Sequence, residues 1–247
     1  MASKTTNVLI TGIGRYLAET FLARPEHTVV AAVRNPGTTT LKECQPAEGS
    51  RLLLVKIENE VDDDPTTAVQ QMRAAGIHYL DLVVVNAGIT PVSAYRRLED
   101  ADPAQLREML AINTVSFISL FRAVQPLLQA AAAGGEAGGP LIQCGAAGRH
   151  EPGQRQGPHG AVRRHQGGPE LLDPARAFRE PVVDSLGHEP RLHADGERAG
   201  DGRLSGSPHA PVSLEKSCAG LLSRIDGATR EETSGRFFRF DRVEMTF

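Results

Sequence analysis

Two short runs of small residues have the composition of turns that bind a phosphate. The first, Thr11-Gly12-Ile13-Gly14, follows an apolar run of the kind that forms a buried strand. Such a turn needs glycine because a residue without a Cβ lets backbone N–H groups approach a pyrophosphate at a helix N-terminus. The second, Asn86-Ala87-Gly88, also follows an apolar run. Taken singly, each run more often forms an ordinary tight turn.

The residue after the second apolar run bears on which nucleotide these turns would hold. That run ends Ala32-Val33-Arg34-Asn35, with no Asp or Glu in the position from which a carboxylate bonds a ribose 2′-hydroxyl. A cation such as Arg34 instead suits a ribose 2′-phosphate, which favours NADP(H) over NAD(H) as cofactor. A solvated surface arginine is the equal alternative at this position.

The elements that must position these motifs follow a βαβ rhythm over the first 144 residues. Aliphatic and β-branched runs predict strands at Asn7–Ile10, Thr28–Val33, Leu52–Ile57, Leu82–Val85 and Leu141–Ile142. Apolar residues at helical spacing predict helices at Arg15–Ala23, Thr66–Ala75 and Pro103–Ala133. Alternating strands and helices predict an α/β fold with a doubly wound parallel sheet, covered on both faces.

The stretch from Gly145 to Ala210 has a different composition. It holds 12 of the 25 Gly, 7 of the 16 Pro and 6 of the 8 His, and neither a strand nor a helix period can be followed through it. Regular patterns return with a predicted helix at Val212–Ile225 and a strand at Arg236–Phe240. We therefore expect one domain over 1–247, made of a nucleotide-binding part (1–144), an unpatterned segment (145–210) and a C-terminal helix and strand (211–247).

Composition excludes several functional classes. Lys and Arg number 27 against 30 Asp and Glu, a net charge of −3, whereas nucleic-acid and membrane-surface binders need a basic footprint. No run of about 18 apolar residues and no apolar signal core exist, so we expect a cytoplasmic protein without a membrane partner. Cys44, Cys144 and Cys218 are scattered, and His188 and His193 are the only histidines of the Gly145–Ala210 stretch at a ligand-pair spacing, so no metal site is predicted.

Taken together, the motifs resemble those of the short-chain dehydrogenase/reductase family. The family has a glycine-rich turn after its first strand, Asn-Ala-Gly after its fourth, and an Asn on the next helix, here Asn113 in Ala111-Ile112-Asn113-Thr114. Residues 210–235 are similar to the fungal norsolorinic acid ketoreductase-like branch. The resemblance covers about residues 1–144 and 210–241. It implies a Rossmann-type fold, NADP(H), reversible hydride transfer to a ketone, and a homo-oligomer.

The resemblance also implies roles for individual residues. The cofactor-binding set would be Thr11, Gly12, Ile13, Gly14, Arg34, Asn86, Ala87 and Gly88, of which the last three would line the adenosine-ribose side. Asn113 would be catalytic, by holding the water of a proton relay.

Two departures from the family pattern concern the phosphate turn and the proton donor. The family turn, Thr-Gly-x-x-x-Gly-x-Gly, is four residues longer than the one here, so fewer N–H donors reach the pyrophosphate. The family also uses a Ser, a Tyr that donates the proton and a Lys four residues on that lowers the pKa of the Tyr. No Tyr follows Tyr95, and no Lys lies between Lys56 and Lys216. Cys144 stands near the expected Ser, where it is either a weak donor or a small buried residue.

A shifted reading frame would account for the missing donor. Read one nucleotide downstream, codons for Val162–Glu170 permit Tyr-Gly-Ala-Thr-Lys-Ala-Ala-Leu-Asn, which contains Tyr-x-x-x-Lys. The same shift permits His-Phe-Glu-Asn-Pro-Trp-Leu at Ala177–Val183 and Ala-Met-Ser-Pro-Gly at Gly187–Arg191, both similar to the family. We hypothesise that about Arg149–Pro208 is translated out of frame.

The function predicted from the sequence is an NADPH-dependent ketoreductase. Its substrate would be a carbonyl of a polyketide or other small aromatic molecule, in secondary metabolism. The alternative, which the missing Tyr and Lys favour, is a catalytically dead relative or a nucleotide-binding protein that is not an enzyme.

Overall fold

A computed structural model describes residues 5–12, 15–89, 98–133, 141–144, 182–184, 214–233, 236–238 and 244–245 of the chain. Strands within these ranges form one sheet in the order β3-β2-β1-β4-β5-β6-β7-β8. Their bounds are β1 Thr6–Thr11, β2 His27–Val33, β3 Arg51–Lys56, β4 Leu82–Val85, β5 Leu141–Cys144, β6 Val182–Asp184, β7 Arg236–Phe238 and β8 Glu244–Met245. The predicted α/β fold with a doubly wound parallel sheet is confirmed.

Strand order reverses between β1 and β4. The chain steps outward from β1 to β2 and β3, then returns to place β4 on the other side of β1, with all of these strands parallel. Such a reversal opens a crevice at the carboxyl ends of the two central strands. The sheet continues in parallel through β7, and only β8 runs antiparallel to its described neighbour.

The described helices are α1 Arg15–Leu22, α2 Asp64–Ala74, α3 Pro103–Leu110, α4 Ser116–Ala133, α5 Leu214–Asp226 and α6 Arg230–Thr233. The helix predicted over Pro103–Ala133 is interrupted, because Ala111–Val115 forms one turn of π-helix between α3 and α4. Helix α2 begins at Asp64, two residues before the predicted start, because Pro65 is pre-set for the first turn of a helix.

Two predictions for the C-terminal half bear on described residues, and one of them, the lack of a regular element before residue 210, is wrong. Strand β6 lies within the stretch for which the sequence predicts no regular element, since three residues are too few to display a period. The predicted strand Arg236–Phe240 is observed over Arg236–Phe238. The rest of the unpatterned stretch, and with it nearly all of the segment hypothesised to be out of frame, lies outside the described residues.

The sheet buries a core on each face. Alternate residues of β1 point to opposite faces, so Val8 and Ile10 pack with α1 and α5, whereas Leu9 packs with α2 and α4. The first layer includes Leu17, Phe21, Leu221 and Ile225, and the second includes Met72, Leu120, Val124 and Leu128. Both faces are covered, as the nearly continuous apolar strands require.

The segment Pro103–Ala133 is long and apolar enough to cross a membrane, judged by length and composition alone. A core helix of an α/β protein meets the same criterion, and α4 buries Leu120, Val124, Leu127 and Leu128 against the sheet. The same segment exposes four large apolar side chains, Leu106, Leu110, Val115 and Ile118. Within this segment, α4 is a layer helix of the α/β fold, whereas α3 has no buried residue.

A long-range ion pair fastens α5 to α1. Arg24, just after α1, donates from both terminal nitrogens to the two carboxylate oxygens of Asp226, each at 2.8 Å. Its guanidinium carbon lies 4.7 Å from the centroid of the Phe21 ring. The planar guanidinium serves both contacts at once, which a lysine ammonium cannot do.

We predict that Arg24→Lys lowers the free energy of unfolding by about 0.5–1 kcal/mol, a modest loss because the pair is partly exposed to solvent. Urea unfolding followed by circular dichroism measures the change. Arg73→Lys is the matched control, since Arg73 is exposed and forms no ion pair with another described residue. Equal losses in the two variants would contradict a stabilising role for the Arg24–Asp226 pair.

Candidate functional site

The glycine turn after β1 and the small-residue turn after β4 meet at the carboxyl edge of the sheet. Thr11 and Val85 are register partners in the two strands. Gly12 has φ +76°, and a Cβ built on it would lie 2.8 Å from the Cα and 2.9 Å from the nitrogen of Ala87. The Ala87 N–H donates to Thr11 Oγ1 at 3.3 Å. Both the left-handed backbone and the close approach therefore require glycine at position 12.

Several predicted site residues thus come together at one place. Thr11, Gly12 and Ala87 are in contact, and Asn86 and Gly88 flank Ala87 in the same turn. Ile13 and Gly14 lie outside the described residues. The roles predicted for these residues in binding a cofactor stay predictions.

Asn113 holds the far end of the Asn86–Ile89 turn. Its Oδ1 accepts a hydrogen bond from the Ile89 N–H, and its Nδ2 donates to the Ile89 carbonyl, both at 2.7 Å. The side chain reaches this backbone from the π turn, in which the Ser116 N–H donates to the Ala111 carbonyl five residues earlier. Asn113 is therefore a positioning residue of the turn after β4, and its predicted role in a proton relay stays a prediction.

A cleft opens beside this turn, between the carboxyl edge of the sheet and two helices. Its enclosed volume is about 10 Å³, roughly the room for one water molecule, and the rest of the space between its walls is open to solvent. The lining residues come from the ends of β1 and β4, the turn after β4, the β3–α2 loop, α2 and α4; they are Thr11, Ile57, Glu58, Asn59, Val61, Pro65, Val85, Ala87, Ser116, Ser119 and Leu120. Apolar walls with polar groups at the edge are typical of small-molecule sites.

One wall of the cleft, formed by Glu58, Asn59 and Val61, is not among the site residues predicted from the sequence. One pattern in the sequence could have indicated this wall. Glu58 and Asn59 are polar residues that follow β3, at the edge of the sheet where the other motifs lie. Ile57 and the residues after it carry no glycine-rich motif, so nothing in their composition distinguishes them from an ordinary loop.

Asp64 anchors this wall. Its Oδ2 accepts hydrogen bonds from the Glu58 N–H at 2.8 Å and from Lys56 Nζ at 3.1 Å. Burial by itself raises the pKa of Asp64, but the bond from Glu58 and the charge and hydrogen bond of Lys56 outweigh it, so the pKa lies below its ordinary value. The carboxylate is accordingly ionised at neutral pH.

Arg34 lies at the same edge, exposed at the end of β2. It follows by two residues Ala32, the register partner of Thr11. Among the described residues, no hydrogen bond or ion pair engages its guanidinium. Arg15, the first residue of α1, is engaged, since its Nε lies 2.6 Å from Glu19 Oε1 and its Nη1 donates to Thr40 Oγ1.

Cys144 ends β5, where its register partners are Val85 and Asp184. The structure therefore puts its backbone at the carboxyl edge, as the sequence predicts. Its role as a substitute for the family's Ser stays a prediction. No group of three or more potential metal ligands occurs among the described residues.

Comparison with known proteins gives a consistent family match. Residues 7–153 match the family model for short chain dehydrogenase. The chain is 35% identical over 253 residues to norsolorinic acid ketoreductase nor1 of Dothistroma septosporum, covering 95% of this chain and 90% of the relative. It is 30% identical over 245 residues to short-chain dehydrogenase RED3 of Pyricularia oryzae, covering 95% of each.

A solved structure with the same fold is the NADPH-bound carbonyl reductase from chicken fatty liver. It superposes with a TM-score of 0.67 and covers 99% of this chain and 100% of its own. At 18% sequence identity this likeness concerns the fold alone.

The approach of Gly12 to Ala87 yields a stability prediction. Gly12→Ala combines a positive φ with a clash against backbone, so we expect a loss of about 2–4 kcal/mol in the free energy of unfolding. Gly76→Ala is the matched control, because Gly76 has φ +80° and no atom within 4 Å of a built Cβ. That variant has only the cost of positive φ, about 1 kcal/mol. Urea unfolding separates the two, and equal losses would show that the close approach has no energetic weight.

Proposed function

The chain belongs to the short-chain dehydrogenase family of oxidoreductases, and on that premise we propose that it is an NADPH-dependent ketoreductase. Its substrate would be a carbonyl of a polyketide or other small aromatic molecule. The observation that carries the proposal is 35% identity over 95% of the chain to a norsolorinic acid ketoreductase. The meeting of Gly12 and Ala87 beside a cleft supports it, because dinucleotides bind at such a crevice.

The residues at the edge fit the adenosine half of a nicotinamide dinucleotide. Gly12 lets the turn after β1 lie directly against Ala87, and the cleft beside them has apolar walls from Ile57, Val61 and Leu120 that suit a purine. Arg34, free of protein partners among the described residues, would hold the 2′-phosphate. The Asn86–Gly88 turn would line the ribose.

When bound, the cofactor supplies a hydride to the carbonyl carbon. The chain's own residues would orient the nucleotide through the turns after β1 and β4, with Asn113 clamped to the Ile89 backbone to hold the second turn. The carbonyl oxygen also needs a proton donor. We propose that this donor is the Tyr of a Tyr-x-x-x-Lys motif that the codons of Val162–Glu170 permit in the neighbouring frame.

The second candidate is a protein that binds the nucleotide without turnover. It is favoured by one observation, the absence of any Tyr after Tyr95 and of any Lys between Lys56 and Lys216. Cytoplasmic location and homo-oligomerisation stay predictions under either function.

The two functions are separated by assaying NADPH oxidation with an aromatic ketone. We compare the chain of this sequence, below called the printed chain, with a rebuilt chain in which the segment Arg149–Pro208 is translated from the neighbouring reading frame. The ketoreductase proposal predicts turnover by the rebuilt chain, and turnover about 10²–10⁴-fold lower by the printed chain, because the proton donor is lost. NADPH binding by both chains with turnover by neither would establish the second candidate. Equal turnover by both would contradict the role given to the Tyr.

The preference for NADPH tests the role of Arg34. We predict that Arg34→Met raises the Kd for NADPH about 10- to 100-fold, since charge-assisted bonds to the 2′-phosphate are lost. The Kd for NADH, which lacks that phosphate, should stay within about twofold. Fluorescence titration measures both, with Arg73→Met as a control for the lost charge. Equal weakening of the two cofactors would refute a 2′-phosphate contact.

A further inference from the structure

The β3–α2 loop forms one wall of the cleft, yet few contacts determine its shape. Residues 57–59, Val61 and Pro65 line the cleft. Within the loop, the Val61 N–H donates to the Glu58 carbonyl at 2.9 Å and the Asp64 N–H donates to the Val61 carbonyl at 3.2 Å. At its middle, Ser119 Oγ of α4 donates to Asp62 at 3.3 Å. These contacts join the loop to itself and to α4. Near β3, the Ile57 N–H donates to the Val33 carbonyl at 3.1 Å, and Glu58 Oε2 lies 3.6 Å from Lys56 Nζ, a pair between two exposed side chains.

One carboxylate oxygen joins α2, the backbone of Glu58 and the end of β3. Asp64 Oδ2 accepts from both the Glu58 N–H and Lys56 Nζ, and so links the first residue of α2 to the last residue of β3. The side chain of Asp64 is only 16% exposed, whereas that of Lys56 is 48% exposed. A negative charge in the first turn of α2 is also stabilised by the helix dipole.

We propose that Asp64 is a positioning residue for the nucleotide, holding the Glu58–Val61 wall in its binding shape without touching the ligand. This inference rests on the proposed function, because it assumes that the cleft takes the adenosine half of NADP(H). Asp64 itself does not line the cleft, although its neighbour Pro65 does. Its effect on affinity would come from pre-organisation, since a wall already in place need not be ordered on binding.

The adjacent residue provides a matched control. Asp63 is exposed, precedes α2 as its N-cap and makes no side-chain capping hydrogen bond. Asp63→Asn therefore changes the net charge as Asp64→Asn does, one position away, and leaves the link to Glu58 intact. Asp64→Asn keeps an oxygen for the Glu58 N–H but removes the charge that Lys56 pairs with, and Asp64→Ala removes both.

The test is the Kd of adenosine 2′,5′-bisphosphate, a probe of the adenosine half alone, measured by calorimetry at a temperature where circular dichroism shows every variant folded. We expect Asp64→Ala to weaken binding about tenfold and Asp64→Asn about threefold, with Asp63→Asn within about twofold of wild type. Hydrogen exchange of the Glu58 and Val61 amides should speed up in the same order. A loss of stability alone would leave the Kd of the folded protein unchanged.

The outcomes separate this inference from the proposed function. If wild type binds the probe but Asp64→Ala binds it as well as Asp63→Asn does, the positioning role is wrong while the proposed site stands. If wild type does not bind the probe at all, the nucleotide site is wrong, and the role of Asp64 falls with it.

Discussion

The backbone contact between Gly12 and Ala87 is the constraint on which the site depends. It joins the ends of β1 and β4, the two strands between which the direction of winding reverses, and it leaves no space for a Cβ. With Thr11 accepting from the Ala87 N–H, the two turns form one surface at the carboxyl edge. Because ligands of doubly wound sheets bind at this reversal, the contact determines where the chemistry can occur.

Two further clamps complete the edge, each made by a polar side chain reaching back to a backbone. Asn113 engages both the N–H and the carbonyl of Ile89, and Asp64 engages the N–H of Glu58. Both side chains come from helical segments that lie on the same face of the sheet. Side chains from the helices on this face therefore hold both the turn after β4 and the wall after β3, whereas the strand ends form the base of the cleft.

Much of the described fold could be predicted from the sequence. The strands around β1 are buried on both faces and therefore mostly apolar, and α1 and α4 carry a stripe of apolar residues that matches the helix period. The turn motifs containing Gly12 and Ala87 were found because close backbone approach demands small residues. The position of Arg34 at the carboxyl edge of the sheet could also be predicted, because it comes directly after the apolar run that forms β2.

The missed features depend on long-range contacts that leave no local pattern. No residue pattern in Ala111–Val115 predicts a π turn. The contact made from that turn is the hydrogen bond between Asn113 and Ile89, which is 24 residues away in sequence and therefore leaves no local pattern. The Asp64 link likewise has no motif, since one of three consecutive aspartates binds Glu58 and its neighbours do not reveal which. Strand β6 was missed because three residues show no period.

A crystal structure of the chain with NADP⁺ bound would show directly whether the nucleotide lies at the Gly12–Ala87 contact. We predict that the adenine ring binds between the Glu58–Val61 wall and α4, the 2′-phosphate contacts Arg34, and the pyrophosphate lies beside Gly12. An adenine ring bound elsewhere, or a cleft that stays closed to the nucleotide at saturating concentration, would contradict it.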